Sequence, residues 1–179
     1  MNYVLFPFPY LRNMSLVLIE NASANDIPQI LDIVNYYIEN DTCIYDIEHR
    51  TIEKQLEWFD NQTLNNYPVL VAKKDNKVLG FASFSQFRPK VGYKFSMEHS
   101  VYVHHQEKGS GIGKLLLQEL IKIAESQNIH ILIGGIDANN QGSIDFHAKF
   151  GFEIVGRMNQ VGYKFNRWLD LIWMQKTLI

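Results

Sequence analysis

The spacing of apolar and polar positions along the chain predicts four helices. Apolar residues recur at helical intervals in two long segments and one shorter segment, and a fourth, short segment is also predicted to be helical. The predicted helices cover residues 27–38, 52–59, 111–127 and 142–149. Asn25 or Asp26 is expected to cap the first helix and Thr51 the second, whereas Gly151 stands where the fourth should end.

Seven other segments have the composition of β-strands. They are predicted over residues 15–20, 69–72, 78–84, 93–103, 129–136, 152–157 and 166–177. Asp75 and Asn76 form a turn between the second and third segments, which indicates an antiparallel hairpin. The order of helices and strands predicts a mixed α/β sheet with helices on both faces.

Composition narrows the classes of protein that this chain can represent. With 179 residues, 46% of them hydrophobic, one globular domain is expected over 14–179, preceded by an appended aromatic segment over 1–13. A net charge of -2 argues against a nucleic-acid partner, and no apolar run approaches the ~20 residues of a membrane span. Cys43 is the only cysteine, which excludes an intramolecular disulfide and a cysteine-rich metal site and fits a cytoplasmic protein.

A glycine-rich turn joins the strand that ends at Val103 to the longest predicted helix. Its sequence is Lys108-Gly109-Ser110-Gly111-Ile112-Gly113-Lys114. Glycines let the backbone approach a ligand, and free amides at a helix start bind phosphate, although a plain tight turn would use the same residues. Lys108 and Leu115 exclude a P-loop, and Lys114 excludes a dinucleotide-binding fingerprint.

This turn resembles the signature of the GCN5-related N-acetyltransferase (GNAT) superfamily: Arg or Gln, two residues, Gly, one residue, then Gly or Ala. Lys108 stands where the family usually has Arg or Gln. The resemblance implies a GNAT-like mixed, mostly antiparallel sheet of about seven strands flanked by about four helices. It also implies acetyl-CoA as co-substrate and no metal. The implied cofactor-binding residues are Val101, Tyr102, Val103, Lys108, Gly109, Ser110, Gly111, Ile112, Gly113, Lys114, Asn140 and Ser143. For Asn140 and Ser143, capping of the short helix is the alternative role.

A closer resemblance, to the phosphinothricin N-acetyltransferase-like branch, covers residues 16–178. It rests on ordered motifs: Phe87-Arg88-Pro89-Lys90, Tyr93, Glu98-His99-Ser100-Val101-Tyr102-Val103, Asn140-Gln141-Gly142-Ser143, Phe146-His147, Gly151-Phe152 and the segment 162–170. The resemblance implies acetyl transfer to the amino group of a small amino-acid-like substrate, of the phosphinothricin, methionine sulfoximine or methionine sulfone type, by direct attack in a ternary complex. Another small amine, a protein N-terminus and a noncatalytic acyl-CoA sensor are the alternatives. Because family members are often dimers, a homodimer is expected.

The same resemblance assigns roles to a few side chains. Attack on a thioester requires a neutral amine, and Glu98 matches the position of the base, unless it is a strand carboxylate paired with Arg88 or Lys90. His147 stands where family members carry an acid for the leaving thiolate, although it could be a core histidine or a second base. Arg88, Lys90 and Tyr93 are suited to hold a substrate carboxylate or phosphinate, and a solvated basic loop is the alternative.

Overall fold

The computed structural model describes residues 17–178 as seven strands and four α-helices. The strands are β1 (Leu18–Asn21), β2 (Val69–Lys74), β3 (Lys77–Gln86), β4 (Ser96–Val103), β5 (Ile131–Asp137), β6 (Glu153–Lys164) and β7 (Arg167–Thr177). The helices are α1 (Ile27–Asn40), α2 (Ile52–Leu64), α3 (Ile112–Ser126) and α4 (Gln141–Ala148). The predicted order of elements is confirmed. The predicted segment 1–13 lies outside the described residues, and its boundary stays a prediction.

The strands form one sheet in the order β1-β2-β3-β4-β5-β7-β6. Only β4 and β5 run parallel, and every other neighbouring pair in this sheet is antiparallel. The predicted mixed, mostly antiparallel sheet is therefore confirmed. Among residues 17–178 no helix is long and apolar enough to cross a lipid bilayer.

Alternate residues of the central strands build two separate cores. Leu70 and Ala72 of β2 belong to the core that contains the apolar face of α3, whereas Val69 and Val71 belong to the core that contains α1. Side chains of a strand point alternately to the two faces of a sheet, so α1 and α3 cover opposite faces. Helices on both faces were predicted, and the structure has them.

Local turn chemistry explains most of the element boundaries. Asp75 and Asn76 adopt φ values of 50° and 63°, which is the geometry of a tight hairpin between β2 and β3. Gly151 follows α4 with a φ of 81°, where a residue with a side chain would be strained. The predicted strand over 93–103 begins later, at Ser96, because residues Val91–Tyr93 form a single 3-10 turn.

Strands β4 and β5 separate partway along their length. They pair at three positions only, of which Glu98 with Ile133 is the last. Beyond it, residues 99–103 remain paired to β3, and residues 134–137 remain paired to β7. A gap therefore opens in the middle of the sheet, and side chains from both faces can reach it.

Candidate active site

Two cavities meet at the gap between β4 and β5. The larger has a volume of about 670 Å³ and lies beside the start of α3, and the smaller has about 70 Å³ and lies between the separated strands. Val101 and Ser143 line both cavities. Of the predicted cofactor residues, the larger cavity is also lined by Val103, Lys108, Gly109, Gly111, Ile112, Gly113 and Lys114. Tyr102 and Asn140 line the smaller cavity. Ser110 lines neither cavity, and its hydroxyl donates to Glu107 O at 2.6 Å.

The glycine turn forms a backbone cradle at the start of α3. Gly109 and Gly111 have φ values of 80° and 88°, and no atom lies within 4 Å of where their β-carbons would be. A β-carbon on Gly113 would lie 3.4 Å from Val103 Cγ2, so a glycine keeps α3 close to β4. The first amides of a helix have no intrahelical acceptor, and the helix dipole favours negative charge there. The cradle therefore fits a phosphate or pyrophosphate.

Lys108 does not point into this cradle. Its Nζ lies 3.8 Å from Asp41 Oδ2 and 5.1 Å from the centre of the Tyr37 ring, at the C-terminal end of α1. The Tyr37 hydroxyl in turn donates to Val103 O at 2.7 Å and so fixes the end of β4. Tyr37 also lines the larger cavity, and this role was not predicted from the sequence. Lys114 and Lys149 are exposed and line the same cavity, so both can meet an anion there.

Glu98 lies on the face of the sheet opposite α3. Its neighbour Met97 belongs to the core under α3, so by alternation Glu98 points towards the α1 side, at the last position where β4 pairs with β5. Burial raises the pKa of Glu98, and the charge of Arg88 opposes this shift. Within residues 17–178 its carboxylate has no ion pair within 4.0 Å, so the pairing with Arg88 or Lys90 does not form. A less acidic carboxylate without a tight partner is suited to accept a proton.

The predicted substrate group lies on the exposed loop between β3 and β4. The Arg88 guanidinium stacks 4.1 Å from the Phe87 ring centre, and its charge is the one from this group that acts on Glu98. Tyr93 packs edge-on against Phe87 at 6.0 Å, and Phe87 packs edge-on against Trp173 at 5.5 Å. Lys90 is exposed, and its carbonyl accepts from Gln86 Nε2 at 2.9 Å. The aromatic pair Phe87 and Trp173 was not predicted.

His147 lies in α4 on the other side of the sheet, against a second histidine. Nδ1 of His147 donates to Ser143 O at 2.7 Å, and its Nε2 lies 3.0 Å from Nε2 of His99. Nδ1 of His99 donates to Ile133 O at 2.8 Å. Burial lowers the pKa of both rings, and the charge of His147 lowers the pKa of His99 further. His99 was missed because its partners lie far away in sequence; a β-carbon on Gly134 would lie 3.0 Å from its ring.

Two further residues at the small cavity clarify the chemistry. Burial raises the pKa of the Cys43 thiol to about 12, with a contribution from Asp41, so the thiol stays protonated and is a poor nucleophile. Asn140 Oδ1 accepts from Ser143 N at 3.0 Å, which confirms that Asn140 caps α4.

Asp137 Oδ2 and the Tyr45 hydroxyl are buried with no hydrogen-bond partner in the described range 17–178, and neither was anticipated. Across the same range no cluster of three His, Cys, Asp or Glu side chains is arranged to hold a metal.

An anion cradle on one face of a split sheet, with a weakly acidic carboxylate facing the other, suits an enzyme that brings a phosphate-bearing donor to an amine acceptor. The family model described as the acetyltransferase (GNAT) domain matches residues 19–173. The chain belongs to the GNAT acetyltransferase family and is an N-acetyltransferase. The sequence-based prediction of both family and enzyme class is confirmed.

Individual relatives agree with this assignment. The chain is 42% identical over 161 residues to the L-methionine sulfoximine/L-methionine sulfone acetyltransferase of Pseudomonas aeruginosa, a match that covers 89% of this chain and 94% of that protein. A ribosomal-protein-alanine N-acetyltransferase from Brucella melitensis has a TM-score of 0.89 and 44% identity, over 90% of this chain and 99% of that one. A GNAT phosphinothricin acetyltransferase from Sinorhizobium meliloti, in complex with acetyl-CoA, has a TM-score of 0.88 and 32% identity, over 90% and 88%.

Proposed function

We propose that the protein transfers the acetyl group of acetyl-CoA to the amino group of a small amino-acid-like substrate of the methionine sulfoximine, methionine sulfone or phosphinothricin type. The observation that carries this proposal is the position of Glu98, a carboxylate with a raised pKa that feels the charge of Arg88 and faces away from the glycine cradle. A base beside a cation suits a substrate with an ammonium group and an anionic group. The relatives from Pseudomonas and Sinorhizobium support the choice of substrate class.

On the cofactor side of the site, different groups bind different parts of acetyl-CoA. The amides at the start of α3, with Lys114, hold the pyrophosphate, while Val101 and Val103 line the passage towards the gap. Acetyl-CoA, when bound, supplies the activated acetyl group. Backbone amides of β4 that lack a partner on the β5 side are available to stabilise negative charge on the acetyl oxygen. Asn140 acts mainly by capping α4, so that Ser143 lies at the junction of the two cavities.

The substrate side uses Glu98 and the loop 87–95. Glu98 accepts the proton of the incoming ammonium group and leaves a neutral amine for attack. Arg88 holds the substrate anion, with Lys90 supplying charge from the rim and Tyr93 extending the aromatic wall of Phe87. Because the Cys43 thiol is held protonated, transfer is direct and involves no acetyl-cysteine.

The test is release of free CoA from acetyl-CoA with a panel of amines. The panel contains L-methionine sulfoximine, L-methionine sulfone, L-phosphinothricin, ordinary amino acids, a polyamine and a peptide that begins with alanine. Turnover confined to the first three, lost in Arg88→Gln, supports the proposal. Turnover on the alanine peptide alone would assign the protein to the role named for the Brucella relative. Acetyl-CoA binding without turnover on any amine would indicate an acyl-CoA sensor.

We also propose that the protein is a cytoplasmic homodimer. Strand β6 is the last strand of the sheet, and it exposes several large apolar side chains: Ile154, Val155, Met158, Val161 and Tyr163. An exposed apolar edge strand favours pairing with a second copy. Sedimentation of the wild type against Val161→Lys tests this, since a monomeric wild type would refute it. Cell fractionation tests the compartment, in which acetyl-CoA must be available.

A further inference from the structure

The hydrogen bonds of His99 and His147 require one more proton than two neutral imidazoles carry. A carbonyl oxygen can only accept, so Nδ1 of each ring must carry hydrogen to bond Ile133 O at 2.8 Å and Ser143 O at 2.7 Å. In two neutral rings both Nε2 atoms would then present lone pairs to each other across 3.0 Å. A third proton between the two Nε2 atoms satisfies all three contacts. The arrangement therefore complements a pair that carries a single positive charge.

The surroundings of the pair make this proton easy to release. His99 and His147 are 5% and 8% exposed, and both rings pack against Phe152 with centroid distances of 5.0 and 5.3 Å. The polar groups that hydrogen-bond them, apart from each other, are the Ile133 carbonyl from β5 and the Ser143 carbonyl and hydroxyl from α4, and Asp137 of β5 lines the same small cavity. Within residues 17–178 no carboxylate shifts the pKa of either ring. Burial disfavours charge, so the resting pair is neutral and a second extra proton is out of reach.

Neither ring of the pair reaches the cofactor cavity through a free nitrogen. Both nitrogens of His99 and of His147 are occupied by the contacts just described. Both rings line the small cavity within the gap, and the group that connects them to the larger, cofactor cavity is the Ser143 hydroxyl, which lies 3.4 Å from Nδ1 of His147 and lines both cavities. A hydroxyl can donate and accept at once, so it can pass a proton between the larger cavity and the ring.

We propose that His99 and His147 form one proton-holding unit, that Ser143 connects it to the larger, cofactor cavity, and that His99 is a positioning residue which shares the proton. The inference rests on the proposed acetyl transfer and adds a route for a proton that Glu98 does not handle. Glu98 lies on the opposite face of the sheet and takes the first proton of the ammonium group.

The balance of protons and bonds in this route is complete. As the C–N bond forms, the amine nitrogen must lose a second proton, and as the C–S bond breaks, the CoA sulfur must gain one. In the neutral pair two protons serve three positions, and the form that accepts a proton holds them on Nδ1 of His99 and between the two Nε2 atoms, so that Nδ1 of His147 has a free lone pair. Ser143 takes the proton from nitrogen and passes its own to this Nδ1, which completes the singly charged pair. The pair then returns a proton through Ser143 to the sulfur, and both rings become neutral again. One proton moves from nitrogen to sulfur, and no oxidant or other reactant is needed.

Nuclear magnetic resonance of the free protein tests the pair without any substrate. With ¹⁵N-labelled histidine, we expect the Nε2 signals of His99 and His147 to change together with pH, in one step that corresponds to uptake of one proton. His99→Phe, which fills the space beside Phe152 without a nitrogen, should remove this joint step and leave His147 to titrate alone. Two separate steps in the wild type, or an Nε2 proton fixed on one ring at every pH, would overturn the shared proton.

Kinetics of Ser143 variants test the connection to the larger cavity. Ser143→Ala removes only the hydroxyl and keeps the carbonyl that orients His147, so the fold should be retained. We expect kcat to fall about tenfold or more, a larger change than any in the KM for acetyl-CoA, and Ser143→Thr to recover most of that loss. Full activity of Ser143→Ala would refute the relay. If the proposed substrates are not acetylated, the resonance experiment still decides whether the proton is shared.

Discussion

Replacement of Glu98 by Gln is the most informative single change on the acceptor side. The two side chains have nearly the same shape, and Glu98 has no ion pair within 4.0 Å among residues 17–178, so no close ion pair is lost and only the more distant charge interaction with Arg88 is removed. Removal of a general base costs about 10²–10⁴ in rate. This range corresponds to about 3–5 kcal/mol of activation free energy. We therefore expect kcat/KM to fall within that range while acetyl-CoA still binds to the glycine cradle.

The pH dependence of kcat/KM provides a second test of Glu98→Gln. Glu98 must be ionised to accept a proton, and burial raises its pKa, so the acid limb of the wild-type kcat/KM profile should have its midpoint above that of an ordinary glutamic acid. Glu98→Gln should lack this limb. A suitable control is Glu125→Gln, because Glu125 is exposed on α3.

Stability should change in the direction opposite to activity. A carboxyl group whose pKa is raised by folding binds protons more tightly in the native state, so its ionisation lowers the free energy of unfolding as pH rises through that pKa. Glu98→Gln removes this loss, and at neutral pH the variant should be at least as stable as the wild type in urea titrations. A variant that keeps the activity and acid limb of the wild type would refute the assignment of Glu98 as base. A variant that unfolds more easily would refute the electrostatic argument.

The remaining predictions concern stability and are each measured by urea unfolding. Gly111→Ala should lower the free energy of unfolding by about 1–2 kcal/mol, because Gly111 has a φ of 88°, and Gly111→Asn should cost less. Gln55→Met should raise stability by about 1–3 kcal/mol, because Gln55 is 0% exposed and neither of its amide atoms has a partner within residues 17–178. Gln62→Met is its matched control in the same helix and should destabilise, because Gln62 Nε2 donates to Phe84 O at 3.0 Å. Lys164→Met should cost about 2 kcal/mol, since the buried Nζ donates to the carbonyls of Asp41 and Ile44 at 2.8 and 2.6 Å. Equal effects of the two glutamine changes would contradict the hydrogen-bond argument.

Local sequence patterns predicted most of the fold. The 3.6-residue period marks α3 because Leu116, Leu120 and Ala124 all lie in one core. The cap at Thr51 and the turn at Asp75 depend on neighbouring residues only, and both occur as predicted. The late start of β4 at Ser96 was not predictable, because a 3-10 turn precedes it without a proline or a period to mark it.

The sequence predicts those parts of the site that are formed by consecutive residues. The glycine turn is contiguous, so its cradle follows from sequence, but the direction of the Lys108 side chain depends on Asp41 in another element. The contact between His99 and His147 joins residues 48 positions apart and requires the small Gly134 beside it. Pairing across such distances depends on the register of β4 and β5, which no local pattern encodes.

The gap between β4 and β5 also determines where the two substrates of the proposed reaction lie relative to the sheet. In the proposed reaction the donor lies in the cavity beside α3 and the amine lies beside Glu98 on the α1 face, so the two molecules can occupy the site at the same time. A sheet that stayed paired along its whole length would have forced both molecules onto one face, where they would compete for room. Because β4 and β5 separate, the proposed transfer of the acetyl group can take place through the sheet, between a donor on one face and an amine on the other.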